Sequence, residues 1–242
     1  MTDCTVWWAE PIIDGEAAPA ALALLDAAER QRHEAYRMAA DRARFRTGRV
    51  LAKTVAAHRL GIAVDAVTFD ATCDDCGKPH GPVRIPGAAL ALSISHAGDR
   101  VGVAVTDGAP VGLDVEATGR GAEHSLLDYA LNEAEQAGLP APGTAERAEA
   151  FYAFWTRKEA VMKATGRGLR IALRDLTLSP ADQPARLLAS TEEALSPETT
   201  RMADLDPGPG YRAAVAVLTG ADAGEIDVTE RWWSPEAVAG GH

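Results

Sequence analysis

Three observations predict an α+β fold for this 242-residue chain. Residues 19–60 and 144–165 carry apolar positions at helical spacing over long stretches. Short segments between 90 and 115 alternate in polarity like strands and are separated by turns, not by helices. Strands and helices thus mix without a strict βαβ rhythm, which argues against a doubly wound parallel sheet.

Taken in order, residues 5–13 read as a first strand, and 19–60 as helical with basic residues interleaved. Residues 70–86 are rich in Asp, Cys, Gly and Pro and read as a loop. Leu90–Ser95 is a strand by its alternation, with His96 at its end. Strands at 101–105 and 111–115 follow, separated by the Asp107-Gly108 turn. Helices are expected at 124–137 and 144–165, the second capped by Gly166. Further strands are expected at 174–178, 186–189, 211–218 and 226–231. A boundary near 106–110 would divide the chain into similar halves, 1–108 and 109–242. Gly208–Ala213 fits G-x-G-x-x-A, but it follows an acidic loop and precedes a Val-rich strand, so it is rejected as a dinucleotide fingerprint.

Composition narrows the function classes. Apolar residues make up 47% and charged residues 24%, as in ordinary globular proteins. No run of about 18 apolar residues predicts a membrane span. Met1-Thr2-Asp3-Cys4 lacks the start of a secretion signal, and three cysteines do not suit a disulfide framework, so a cytoplasmic location is expected. The net charge of −11 argues against nucleic-acid and anionic-membrane partners. Nine of the 24 basic residues nevertheless lie between Arg30 and Arg59, opposed there only by Glu34 and Asp41. Such a cluster suits a small polyanion, although it equally describes a solvated helix face. The chain has only four lysines, and Lys78, Lys158 and Lys163 all fall in the patterns below.

Gly112-Leu113-Asp114-Val115-Glu116 sets two carboxylates at i and i+2, on one face of a predicted strand. Paired carboxylates repel unless a proton or cation intervenes, and oxygen-only ligands suit Mg²⁺. Trp155, Glu159 and Lys163 recur at i, i+4 and i+8 along one helix face. Ser93-Ile94-Ser95-His96 ends a strand, and Gly77-Lys78-Pro79-His80 sets a lysine in a tight turn. Singly, these patterns also describe solvated acids, an ordinary Glu–Lys pair, a capping histidine and a surface turn.

In this order, the four patterns resemble the Sfp-type 4′-phosphopantetheinyl transferases. The stretch from Trp155 to Leu169 carries the family pattern W-x-x-K-E-A-x-x-K-x-x-G-x-G-L in full. Weaker matches at Asp41–Leu51 and Tyr211–Val217 extend the resemblance from about residue 30 to 218. The resemblance implies two similar α/β halves about a pseudo-twofold axis, complete as a monomer, with the site between them. It implies transfer of 4′-phosphopantetheine from coenzyme A to a serine of an acyl, peptidyl or aryl carrier protein, with adenosine 3′,5′-bisphosphate released.

By that resemblance, Asp114, Glu116 and Glu159 are expected to hold Mg²⁺, with Glu159 also the base for the carrier serine. Lys163 is expected to stabilise the leaving group, and Lys158 to face the phosphates or the pantetheine. Ser95, His96, Arg44, Arg42 and Arg49 are expected around the 3′-phosphate, with Lys78 and Pro79 on the phosphate side. Glu135, with Glu133 as rival, is expected to help hold the lysines. Cys73, Cys76 and His80 could form part of a structural zinc site, although two free thiols fit the spacing better. A Mg²⁺-dependent nucleotide phosphohydrolase and a non-catalytic coenzyme A- or carrier-binding module remain as alternatives. Leu126, Leu127, Tyr129 and Leu131 are candidates for a carrier-docking patch and equally for ordinary helix burial. The pathway served (polyketide, nonribosomal peptide, siderophore or fatty acid) is left open.

Overall fold

Two strands from different sheets face each other through buried sides. β1 (Thr2–Ala9) buries Cys4, Val6 and Trp8 on one face, and β4 (Val111–Ala117) buries Val111, Leu113 and Val115. These faces meet in one shared core. Because neighbouring side chains point to opposite faces, each strand turns its other side outward, toward a helix. The computed structural model describes residues 1–15, 17–73, 76–78, 81–119, 124–167 and 171–235.

The first half continues through α1 (Ala17–Ala23), α2 (Ala27–Ala35), α3 (Ala39–Leu60), β2 (Ala91–Ala97) and β3 (Arg100–Thr106). The second runs from β4 through α4 (His124–Ala130), α5 (Glu133–Ala137) and α6 (Ala145–Thr165). It then adds β5 (Leu176–Leu178), β6 (Leu187–Ser190), β7 (Thr200–Leu205) and β8 (Tyr211–Leu218). The halves share one topology. β3 lies between β2 and β1, antiparallel to both, and β8 lies between β7 and β4 in the same way. β5 and β6 form a separate hairpin. The last strand, β9 (Ile226–Trp232), returns to pair parallel with β1, Thr2 opposite Ile226. A cut at 108/109 would therefore separate two hydrogen-bonded strands.

Each long helix is anchored by the same device. Asp26 and Glu29 form a capping box that starts α2, and Lys53 of α3 pairs with Glu29 at 2.8 Å. Lys53 also donates to the carbonyl of Leu24, two residues before the cap. Asn132 and Glu135 form a capping box that starts α5, and Lys158 of α6 pairs with Glu135 at 2.5 Å. Lys158 donates to Ala130, again two residues before the cap. A buried ammonium needs a carboxylate and carbonyls in this way, because its desolvation is otherwise uncompensated.

The mixed α+β architecture agrees with the sequence reading, and several elements sharpen it. The 19–60 region is three helices, since Asp26 caps a new start and Tyr36 is extended between α2 and α3. The 124–137 region breaks at Asn132 for the same reason. β7 was not anticipated: it buries only Thr200 and Leu205, at its two ends, so no alternation marks it. His96 lies within β2 and not beyond it. α6 ends where expected, at Gly166 in the left-handed region with φ 68°. Gly208 and Gly210, both at positive φ, form the turn into β8, which explains that false fingerprint. Among the described residues, no helix is long and apolar enough to cross a membrane.

Candidate active site

Gly112 decides how closely α6 approaches β4. A Cβ at this position would stand 1.9 Å from the carbonyl oxygen of Ala160 and 2.4 Å from the amide nitrogen of Ala164. Only a glycine lets the helix backbone rest on the strand. That contact carries Glu159 and Lys163, one helical turn apart, over the outward face of β4 that bears Asp114 and Glu116.

Asp114 is 4% exposed. Its Oδ1 accepts from the Lys163 ammonium at 2.7 Å and from the Ser95 hydroxyl at 3.1 Å. Its Oδ2 is buried without a partner. Lys163 also donates to the Leu113 carbonyl and to Ser95 Oγ, both at 3.0 Å. An ammonium has three donors, and here all three are engaged within the protein. β2 and β4 belong to different sheets and are joined by serines: Ser93 Oγ accepts from Leu113 N at 3.0 Å, and Ser95 Oγ from Val115 N at 3.3 Å.

The acids perturb one another. Burial first, then the neighbouring Asp114 charge, pushes Glu116 up to about 7, against the pull of Lys163 and a hydrogen bond from Trp155. Burial and Asp114 likewise raise Glu159 above the usual carboxylate range, with Lys163 opposing. His96 is held below the usual imidazole range, by burial first and then by the nearby positive charges of Arg44 and Lys163. Among the described residues, no three His, Cys, Asp or Glu side chains stand close enough to hold a metal by themselves. The oxygen donors and the orphaned Oδ2 instead suit a hard cation that takes one or two carboxylates and completes its shell from a substrate.

Residues 110–216 match the family described as the 4′-phosphopantetheinyl transferase superfamily. The chain is 31% identical over 202 residues to the 4′-phosphopantetheinyl transferase psf-1 of Bacillus pumilus, covering 81% of this chain and 79% of that one. The chain belongs to this superfamily. It is 27% identical to the transferase Sfp of Bacillus subtilis, over 69% of this chain and 70% of Sfp. It is 29% identical to HetI of Nostoc, over 73% and 71%. A crystal structure of the Thermotoga maritima holo-acyl-carrier-protein synthase aligns with 46% of this chain and 62% of its own, at 23% identity and a TM-score of 0.36.

In this phosphopantetheinyl transferase, the expected site residues separate into groups. Asp114, Glu116, Glu159 and Lys163 interact as one charge cluster, with Ser95 bonded into it. Arg44 donates to Gly98 O at 3.1 Å and to Asp41 at 2.5 Å, and its charge reaches His96. Other expectations are corrected. Lys158 does not face a ligand: it is 0% exposed, and its ammonium is surrounded by Glu135 and the carbonyls of Ala130, Leu173 and Leu176. Glu135 fills the holding role, whereas its rival Glu133 is exposed. Ser95 is buried and its hydroxyl engaged, which leaves it no lone pair or proton for a 3′-phosphate. Arg49 lies buried against Glu29 and the rings of Phe45 and Phe69. Arg42 fastens the α2–α3 junction through the Tyr36 and Arg37 carbonyls.

Within the Arg30–Arg59 cluster, Arg46, Arg49 and Lys53 are buried and each is paired with a carboxylate. Lys78 is exposed, in a turn where its carbonyl accepts from Cys73 N at 2.8 Å. Pro79 and His80, and with His80 the zinc question at Cys73 and Cys76, lie outside the described residues, as do Gly168 and Leu169 of the helix pattern. Leu127 and Leu131 are core residues, while Leu126 and Tyr129 are exposed. In the sequence, Gly112 stands only as the first residue of the acid pattern. The neighbouring pattern of small Ala160 and Ala164 on the helix, four apart, was the available signal.

Proposed function

We propose that the protein transfers the 4′-phosphopantetheine arm of coenzyme A to a serine of an apo acyl, peptidyl or aryl carrier protein, in a Mg²⁺-dependent reaction that releases adenosine 3′,5′-bisphosphate. The observation that carries this reading is the buried, unpartnered Oδ2 of Asp114, set beside two acids whose proton affinity is raised. Asp114, with Glu116 or Glu159, would hold the cation, and substrate oxygens would complete its shell; bound there, Mg²⁺ supplies charge neutralisation at the pyrophosphate.

The chain's own residues do the rest. The carrier serine oxygen bonds to the phosphorus that bears pantetheine, and the P–O bond to the adenosine bisphosphate breaks. Glu159 takes the serine proton; burial and the Asp114 charge raise its proton affinity above that of an ordinary carboxylate. Lys163, whose side chain is 33% exposed, exchanges one internal acceptor for the leaving phosphate as negative charge grows there. Arg44 supplies positive charge for the 3′-phosphate, and the neighbouring His96 imidazole, whose proton affinity Arg44 lowers, supplies a hydrogen bond. A cavity of about 1510 Å³, lined by Val83, Ile85, Leu90, Met162 and Lys163 among others, adjoins the site and is large enough for the coenzyme. The reading includes a cytoplasmic monomer, since both halves of the site come from one chain.

The test is to incubate the protein with coenzyme A, Mg²⁺ and acyl, peptidyl and aryl apo carriers, and weigh the carriers. A gain of one phosphopantetheine arm on any carrier is expected. No gain on any, with small nucleotides hydrolysed, would make the protein a phosphohydrolase; coenzyme A bound without transfer would make it a binding module. Lys163→Ala is expected to lower kcat far more than it weakens coenzyme A binding, and an effect on affinity alone would limit Lys163 to binding.

A further inference from the structure

We propose that Ser95 is a positioning residue: one hydroxyl from the first half orients Asp114 and Lys163 of the second and thereby selects Oδ2 of Asp114 as the oxygen left for a cation. This rests on the function proposed above.

The geometry settles where the hydroxyl proton lies. Ser95 Oγ has three polar neighbours, the Val115 amide at 3.3 Å, the Lys163 ammonium at 3.0 Å and Asp114 Oδ1 at 3.1 Å. The first two are donors and occupy the two lone pairs. The single proton must therefore point to Oδ1, the only acceptor of the three. Oδ1 then receives both Ser95 and Lys163, while Oδ2 receives nothing. A carboxylate held by one oxygen cannot flip without breaking both bonds, so its free oxygen keeps one direction. Ser95 is 6% exposed and sits on β2, whereas Asp114 and Lys163 sit on β4 and α6. The bond thus also ties the cation's ligand to the half that holds His96 and Arg44.

Outer partners of metal-binding carboxylates commonly contribute 10-fold to 100-fold in metal affinity. Ser95→Ala and Ser95→Thr, with thermal unfolding to verify folding, separate positioning from ligand contact. Mn²⁺ binding to each protein, followed by its electron spin resonance signal, is expected to weaken about 10-fold in Ser95→Ala and to recover in Ser95→Thr. The preference for coenzyme A over dephospho-coenzyme A, measured without metal, is expected to stay within twofold of the parent in both variants.

Two results overturn the proposal. One is Mn²⁺ affinity in Ser95→Ala within twofold of the parent, including the case where the parent binds none. The other is loss of discrimination against dephospho-coenzyme A, which would return Ser95 to the 3′-phosphate. If Ser95→Ala does not fold, Ser95→Thr and Ser95→Cys decide: binding retained with the hydroxyl and weakened with the thiol supports it, and equal binding in the two overturns it. Carrier labelling by the parent protein judges the proposed function separately, so failure of one reading is distinguishable from failure of the other.

Discussion

The two halves share a topology and an anchoring lysine, yet only one carries the charge cluster. Counting from the anchors, Glu159 follows Lys158 by one residue and Lys163 by five; Thr54 and His58 stand at those positions after Lys53. Thr54 bonds back to Val50 within its own helix, and His58 is exposed. The strands differ in the same sense. β4 offers α6 a glycine and two acids, whereas Trp7 and Ala9 of β1 pack into the apolar core beneath α3. One scaffold thus packs an apolar face in the first half and presents a charge cluster in the second. The first half contributes through β2 and the end of α3, with Ser95, His96 and Arg44 reaching across.

The largest expected effect tests that division. Asp114→Ala is predicted to lower carrier labelling by about 10³-fold while circular dichroism stays unchanged; Thr54→Ala in the other half should leave the rate within about twofold. Comparable losses would mean that chemistry is shared between the halves.

Helix approach comes next. Gly112→Ala drives a methyl into α6 backbone and is predicted to destabilise by about 3 kcal/mol, with activity lost beyond the unfolded fraction. Gly48→Ala meets only side chains, Ile94 at 3.0 Å and Val101 at 3.6 Å, and helix propensity favours alanine by about 1 kcal/mol. Denaturant unfolding is expected to put that variant within about 1 kcal/mol of the parent.

The anchors themselves are unequal. Glu135 bonds Lys158, Asn132 N and Leu178 N through its two oxygens, while Glu29 Oε1 accepts no hydrogen bond and has only Arg49 Nε at 3.9 Å. Glu135→Gln is predicted to cost about 3 kcal/mol, and Glu29→Gln less, by the same unfolding measurement. Equal losses would remove this asymmetry.

The smallest effect is one of pH. Glu116 and Glu159 bind protons more tightly folded than unfolded, so folding is penalised where they ionise. The penalty is absent below the ordinary carboxylate range and grows as pH rises through about 7. The metal-free protein is therefore expected to melt a few degrees higher near pH 6 than near pH 8 relative to Glu116→Gln. Added Mg²⁺ should narrow the gap; an unchanged gap would separate Glu116 from the cation.

Much of this site was legible because its residues cluster in short sequence windows. The i, i+2 acids of β4 and the i, i+4 pair of α6 sit within single elements, where periodicity alone sets the facing side. The lysines were harder. Lys158 and Lys163 look alike in sequence, and only tertiary packing sends one inward to Glu135 and the other to Asp114. The basic cluster misled for the same reason, since a helix's inward arginines are indistinguishable from outward ones until loop carbonyls and acids such as Glu29 arrive to meet them. Capping boxes at Asp26 and Asn132 were visible as D-x-x-E and N-x-x-E, and would have split both long helical regions. β7 left no trace because polarity does not alternate along it.

Strand β9 comes home to β1 from more than two hundred positions downstream, Thr2 facing Ile226. During synthesis, β1 must therefore wait with a bare edge while β4, β7 and β8 already have the partners they need. Unpaired edges of this kind invite association with neighbouring chains. A nascent chain halted anywhere short of residue 226 would expose that edge, which only the arrival of β9 closes.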